Sequence, residues 1–158
     1  MFRPIRKKKN EISTDEALAL LQDSRRGVLA VNGDDGYPYA IPVNYYFDKE
    51  NRKIYFHGAR VGHKVDALRA CDKICFTVYG HETIKEEAWA PFNAECSGIW
   101  QMPSGRSRRE GYGNVEAICH EILPNEQMVD EEIAIAGKAV QIFEIEIEHL
   151  SGKEVQEK

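Results

Sequence analysis

A chain of 158 residues, 42% of them apolar, is near the usual size of one compact domain and predicts a single core over 1–158. Its formal charge of −5 argues against nucleic acid as the main partner, because phosphate backbones are bound through a surplus of Lys and Arg. No apolar run approaches the roughly 20 residues of a membrane span. The basic start runs into Asn10-Glu11, where a signal peptide needs an apolar stretch, so the expectation is a cytoplasmic protein with no membrane partner.

The one local surplus of positive charge, Arg3, Arg6, Lys7, Lys8 and Lys9, reads as a solvated basic arm over 1–10. Ser13-Thr14-Asp15-Glu16 ahead of Ala17, Leu18, Leu20 and Leu21 is a helix start: a side-chain oxygen caps free amides and acidic groups favour the positive end of the helix. That helix is predicted to last two to three turns and end between Ser24 and Gly27, with Gly27 as the residue that leaves it. Val28-Leu29-Ala30-Val31 then reads as a buried strand.

Asn32-Gly33-Asp34-Asp35-Gly36 is a hairpin turn into a second strand that runs over 38–47. Pro38 and Pro42 each remove a ladder donor, which places this strand at an edge or a bulge. A polar turn over 48–53 leads to a third strand, Ile54-Tyr55-Phe56-His57-Gly58, so three strands arrive in meander order. From Gly62 to Ala70 the period becomes helical, with Val65 and Leu68 on one face. Further strands are read over 73–79 and 139–147, where Phe143, Ile145 and Ile147 alternate with Glu144, Glu146 and Glu148 and the acids are expected to face water. The polar stretch 101–109 reads as a loop, and 99–130 has no assignable element. Strand, strand, strand, helix, strand and a late strand describe a mainly β, antiparallel barrel with flanking helices, not a doubly wound sheet.

Chemistry concentrates in 55–64. A strand ends, the chain turns through Gly58 and Gly62, and a helix opens with Lys64 in its first turn. Unsatisfied amides at a helix start suit a phosphate, with Lys64 and either His63 or Arg60 adding charge. On the residues alone, the stretch reads equally well as an ordinary strand-to-helix turn with solvated basic groups. Cys71, Cys75, Cys96 and Cys119 lack paired spacing and read as buried or idle thiols, so no metal site is expected.

Taken as a set, Gly27 to Ala30, Gly36-Tyr37-Pro38-Tyr39, Pro42-Val43-Asn44-Tyr45, and 54–64 with Leu68-Arg69-Ala70 resemble the nitroimidazole-reductase branch of the pyridoxamine 5'-phosphate oxidase-like split barrels. The resemblance covers most of 1–98 and resumes near Asn125. It implies an antiparallel split β-barrel that binds flavin mononucleotide (FMN), as a homodimer with flavin at the interface. The implied activity is reduction of small acceptors, such as nitroimidazole-type compounds, by a nicotinamide donor. Carried over by position, Lys64 holds the flavin phosphate with His63 and the Gly62 turn. Pro42, Val43 and Asn44 face the isoalloxazine ring, and His57, Gly58 and Ala59 lie beside the cofactor. His57 is the candidate proton-handling group, against the competing reading of a packed, hydrogen-bonded histidine at a strand end. Trp100 is expected near the flavin and Trp89 is not. A non-catalytic flavin- or haem-binding protein and an oxidase of pyridoxamine 5'-phosphate are the alternatives, and a deazaflavin stays open as cofactor. The sequence departs from the family pattern over 101–123, which is polar and arginine-rich.

Overall fold

The computed structural model describes residues 2–85, 88–101 and 140–154, with side chains for 2–80 and 140–154. Among the described residues seven strands form one antiparallel sheet. In chain order the elements are α1 (Thr14–Asp23), β1 (Arg26–Asn32), β2 (Pro38–Asn44), β3 (Tyr46–Asp48), β4 (Lys53–Ala59), α2 (His63–Ala70), β5 (Lys73–Lys85), β6 (Ala88–Gln101) and β7 (Val140–Glu154). The expected mainly β architecture with flanking helices is present. The region 102–139, which holds most of the unassigned stretch and Cys119, lies outside the described residues.

The spatial order β2-β1-β5-β6-β7-β4-β3 corrects the expected meander. The long strand read over 38–47 is two strands, β2 and β3, which sit at opposite edges of the sheet with Tyr45 alone between them. A one-residue link holds the Cα atoms of Asn44 and Tyr46 within about 7 Å, so the two edges must come together and the sheet must roll. The two edge strands do not pair, and the barrel stays open there. Tyr45 is pinned at the break. Its hydroxyl donates to the carbonyl of Leu21 in α1 at 2.7 Å, and its ring stands edge-on to Phe76 at 5.1 Å. Both prolines lie in β2, an edge strand, as their missing donors require.

The core fills the inside of this roll. Leu20 and Leu21 from α1, Leu29 and Val31 from β1, Ile54 and Phe56 from β4, Val65 and Leu68 from α2, Phe76 and Val78 from β5, and Phe143 and Ile145 from β7 are all buried. The start of α1 is a full capping box: the Ser13 hydroxyl accepts from the Glu16 amide, and the Glu16 carboxylate accepts from the Ser13 amide at 2.8 Å. The basic side chains at Arg3, Arg6, Lys7, Lys8 and Lys9 are exposed, and contacts at either end of this stretch tie it to β7. Phe2 stacks on His149 at 4.6 Å, the Ile12 amide donates to the Gly152 carbonyl at 3.0 Å, and Glu11 bridges to Lys153.

Gly27 does not end α1. The helix stops at Ser24, which is already extended, and Gly27 is the second residue of β1. Its role is close approach, because a Cβ there would strike the Phe76 ring, and that ring is fully buried. Gly27→Ala is therefore expected to destabilise the protein by about 1–3 kcal/mol through overpacking. An unchanged urea midpoint would contradict this packing.

Candidate functional site

β4 and β7 pair in regular register, with Ile54 opposite Ile145, Phe56 opposite Phe143 and Gly58 opposite Gln141. Residues directly opposite in an antiparallel pair share a face, so these three rows form one inward strip. It begins in dry core: Ile54, Ile145, Phe56 and Phe143 are fully buried, and the two phenylalanine rings stack at 4.7 Å and 2°. The strip ends at Gly58 and Gln141 with no large apolar group.

The Lys64 side chain closes that end. Its ammonium lies 4.9 Å from the Phe143 ring centroid and 5.1 Å from that of Phe56, within cation–π reach. A Cβ on Gly58 would come within 2.5 Å of Lys64 Nζ. The glycine makes room for the ammonium, and any larger residue would displace it. Among the described residues Lys64 has no hydrogen bond and no carboxylate partner. Burial pushes its ammonium below the usual lysine value of 10.5.

Lys64 reaches this place because α2 opens there. Gly62, the residue before the helix, has φ 118°, a conformation that residues with a side chain rarely adopt. No side chain caps the helix start; the Val65 and Asp66 amides bond to the Gly62 carbonyl at 2.8 and 3.1 Å, which leaves the amides of His63 and Lys64 without a bond among the described residues. Among the described residues the arrangement offers donors and positive charge with no carboxylate against the ammonium, which is the chemistry of an anion site. A flavin phosphate fits such a donor set.

The other expected site residues divide by location. His63 points away from Lys64, as adjacent helix residues do. Its ring stacks on Tyr39 at 4.2 Å, and its Nε2 lies 3.4 Å from the carboxylate of Asp34 in the β1–β2 turn. Arg60 donates to the carbonyl of Val140 at 3.3 Å. Gly58 and Ala59 end β4 beside Lys64. His57 projects from the opposite face of β4, in register with Ile142. Pro42, Val43 and Asn44 lie on β2, which approaches β4 across the open side of the barrel. Val43 turns inward against the core while Pro42 is exposed. Trp100 sits on β6 opposite Ile145, four residues along β7 from Gln141, a run of roughly 13 Å. Its side chain and that of Trp89 lie outside the described residues.

Two residues were misread or missed. Glu144 does not face water: it is 7% exposed and is held by Lys53 Nζ at 2.7 Å, on the same face as buried Tyr55. Gln141 was not singled out at all. Its signal was present, since it occupies the inward series 141, 143, 145 of β7 and breaks an otherwise apolar alternation.

The seat of Lys64 sets a pH dependence. A lysine whose folded-state pKa is lowered opposes folding while it is charged. The penalty is complete at neutral pH and shrinks as pH climbs towards 10.5, because the folded state releases its proton first. Ligand-free protein is therefore expected to gain stability relative to Lys64→Met as pH rises from neutral to about 10. At neutral pH Lys64→Met is expected to be the more stable protein. Urea midpoints that are the same for both proteins across this range would contradict the half-buried ammonium without a carboxylate partner among the described residues.

A family model described as pyridoxamine 5'-phosphate oxidase matches residues 13–92. No curated protein matches the chain. Among solved structures, a Bacteroides thetaiotaomicron protein described as a candidate 5-nitroimidazole antibiotic resistance protein superposes with a TM-score of 0.76. It is 15% identical, over 92% of this chain and 87% of its own. An FAD-binding protein of Mesorhizobium loti gives a TM-score of 0.66 at 20% identity, over 92% and 96% of the two chains. An FAD-binding protein of Mycobacterium smegmatis gives 0.65 at 17%, over 94% and 99%. At these identities the structures establish a shared fold, the split barrel. With the family model spanning just over half of the sequence, the chain belongs to the pyridoxamine 5'-phosphate oxidase family.

Proposed function

We propose that this protein binds FMN on the open side of its barrel, with the phosphate at the start of α2, and that it reduces small acceptors. The observation that carries this reading is Lys64: an ammonium set on two buried rings, with no counter-charge among the described residues. Such a charge opposes folding and is retained where a bound anion offsets it. Two structural neighbours are named for binding FAD, which supports a flavin as the phosphate-bearing ligand.

The bound flavin supplies hydride chemistry. The chain's own residues bind and orient it. Lys64 and the first amides of α2 hold the phosphate, and the outer edge of β2 at Pro42, Val43 and Asn44 offers backbone groups to the ring. His57, half-buried on the opposite face of β4, is the proton-handling group of this proposal. A nicotinamide donor and a nitroimidazole-type acceptor are the proposed reactants.

The working form is proposed to be a homodimer. β2 is an edge strand, and Tyr37, which precedes β2, and Val61, which precedes Gly62, are 76% and 75% exposed. An unpaired edge flanked by exposed apolar side chains suits a second copy. Sedimentation of flavin-loaded protein is expected to give a dimer. A monomer with flavin still bound would overturn the shared site.

The first test is the visible spectrum after exposure to FMN and removal of the excess. Roughly equimolar flavin is expected, with release of the chromophore identifying FMN or FAD. Lys64→Ala is expected to weaken FMN binding by about 1.5–3 kcal/mol, the range for a charge-assisted bond. A colourless wild type, or unchanged affinity in the variant, would reject the phosphate assignment. His57→Ala is expected to keep its flavin and lose about 10²-fold or more in acceptor reduction. Unchanged turnover would return His57 to a packing role.

A further inference from the structure

The Nε2 of Gln141 is buried and has no hydrogen-bond partner among the described residues. Burying such a donor without a partner is costly, and an apolar side chain of similar size would avoid the cost. Among the described residues nothing in the packing asks for an amide at this point, because Gln141 continues the inward series that holds Phe143 and Ile145.

Its position relative to Lys64 follows from the register. Gln141 is directly opposite Gly58, and Cβ atoms in such pairs are about 4.5–5.5 Å apart. The Lys64 ammonium stands 2.5 Å from the place of the Gly58 Cβ. The Gln141 side chain, on the same face of the sheet as Gly58, can therefore reach the volume that this ammonium occupies at the end of the strip. There the ammonium and the amide N–H are both donors. Phe56 and Phe143 wall this volume on the inner side, and neither ring can accept a conventional hydrogen bond. The carboxylate nearest in register, Glu144, is on the other face of β7 and is held by Lys53.

We infer that Gln141 is a second phosphate ligand, whose side-chain N–H donates to the same phosphate monoester that Lys64 neutralises. The inference rests on the flavin reading for the identity of the ligand but not for the donor pair itself. A charge-neutral donor beside a lysine adds direction to a site that otherwise has only a point charge, and it discriminates phosphorylated from unphosphorylated forms of one ligand.

The test uses two probes on the full chain. Inorganic phosphate is added to flavin-free protein and the thermal midpoint is compared with that in chloride of equal ionic strength. In parallel, FMN and riboflavin are titrated. Wild type is expected to gain stability from phosphate and to prefer FMN over riboflavin. Gln141→Leu is expected to lose most of the phosphate gain and about tenfold of the FMN preference, with riboflavin affinity and flavin-free stability not reduced. Gln141→Glu is expected to abolish both effects, because its carboxylate occupies the ammonium in place of phosphate. It serves as the second variant should the leucine fold poorly.

If phosphate stabilisation and FMN preference depend on Lys64 but survive both Gln141 changes, the inference fails and the flavin reading stands. If phosphate stabilises the protein through both residues but no flavin binds, the donor pair stands and the flavin reading fails. Loss of flavin-free stability in both Gln141 variants with an unchanged FMN preference would make Gln141 a packing residue and overturn the inference.

Discussion

The stacked pair of Phe56 and Phe143 belongs at once to the core and to the site. The rings lie parallel across β4 and β7, fully buried, and such aromatic pairs add to the burial that holds two strands in register. The same rings form the floor under the Lys64 ammonium. The apolar packing that stabilises the fold therefore also strips water from the charge. A cation seated this way opposes folding, and an anion bound against it would meet a stronger field than at a wet surface. With the proposed phosphate at Lys64, stability of the ligand-free protein and affinity for the ligand would pull in opposite directions at this one residue.

Access to that seat depends on the break at Tyr45. Because a single residue joins two strands at opposite edges of the sheet, the sheet must roll until its edges meet, yet they do not pair. The opening lies between β2 and the β3–β4 hairpin, beside the end of β4 from which α2 departs. Tyr45 holds the corner through α1 and Phe76. The side proposed to bind the flavin is thus a consequence of chain connectivity: the edge strand that carries Pro42 to Asn44 is brought towards the strand that carries His57 and Gly58.

Much of this was legible in the sequence where the signal was local. The capping box at Ser13, the Asn32–Gly36 turn, the edge character of the prolines and the helix opening at Lys64 all depend on neighbours within a few residues. The parts that escaped depend on contacts across the sheet. Gly27 looked like a helix terminator because its constraint is the Phe76 ring, 49 residues away in sequence. The run over 38–47 looked continuous because residues on both sides of Tyr45 favour strands, and only the closing of the roll divides it. β6 was not assigned, since Pro91, Asn93, Gly98 and scattered polar residues hide its pattern. Glu144 followed the alternation of an edge-like strand, but β7 lies between two partners and its acid is matched by Lys53. Of the site, Lys64 and its turn were readable, whereas the pairing of Gly58 with Gln141 requires the register.

The measurement that bears most directly on the account is a crystal structure of the protein grown with FMN. The account requires the phosphate to lie against the Lys64 ammonium at the start of α2, with the ring on the open side of the barrel near β2. A flavin whose phosphate is held elsewhere, with Lys64 still closed over Phe56 and Phe143 and touching no ligand, would contradict it.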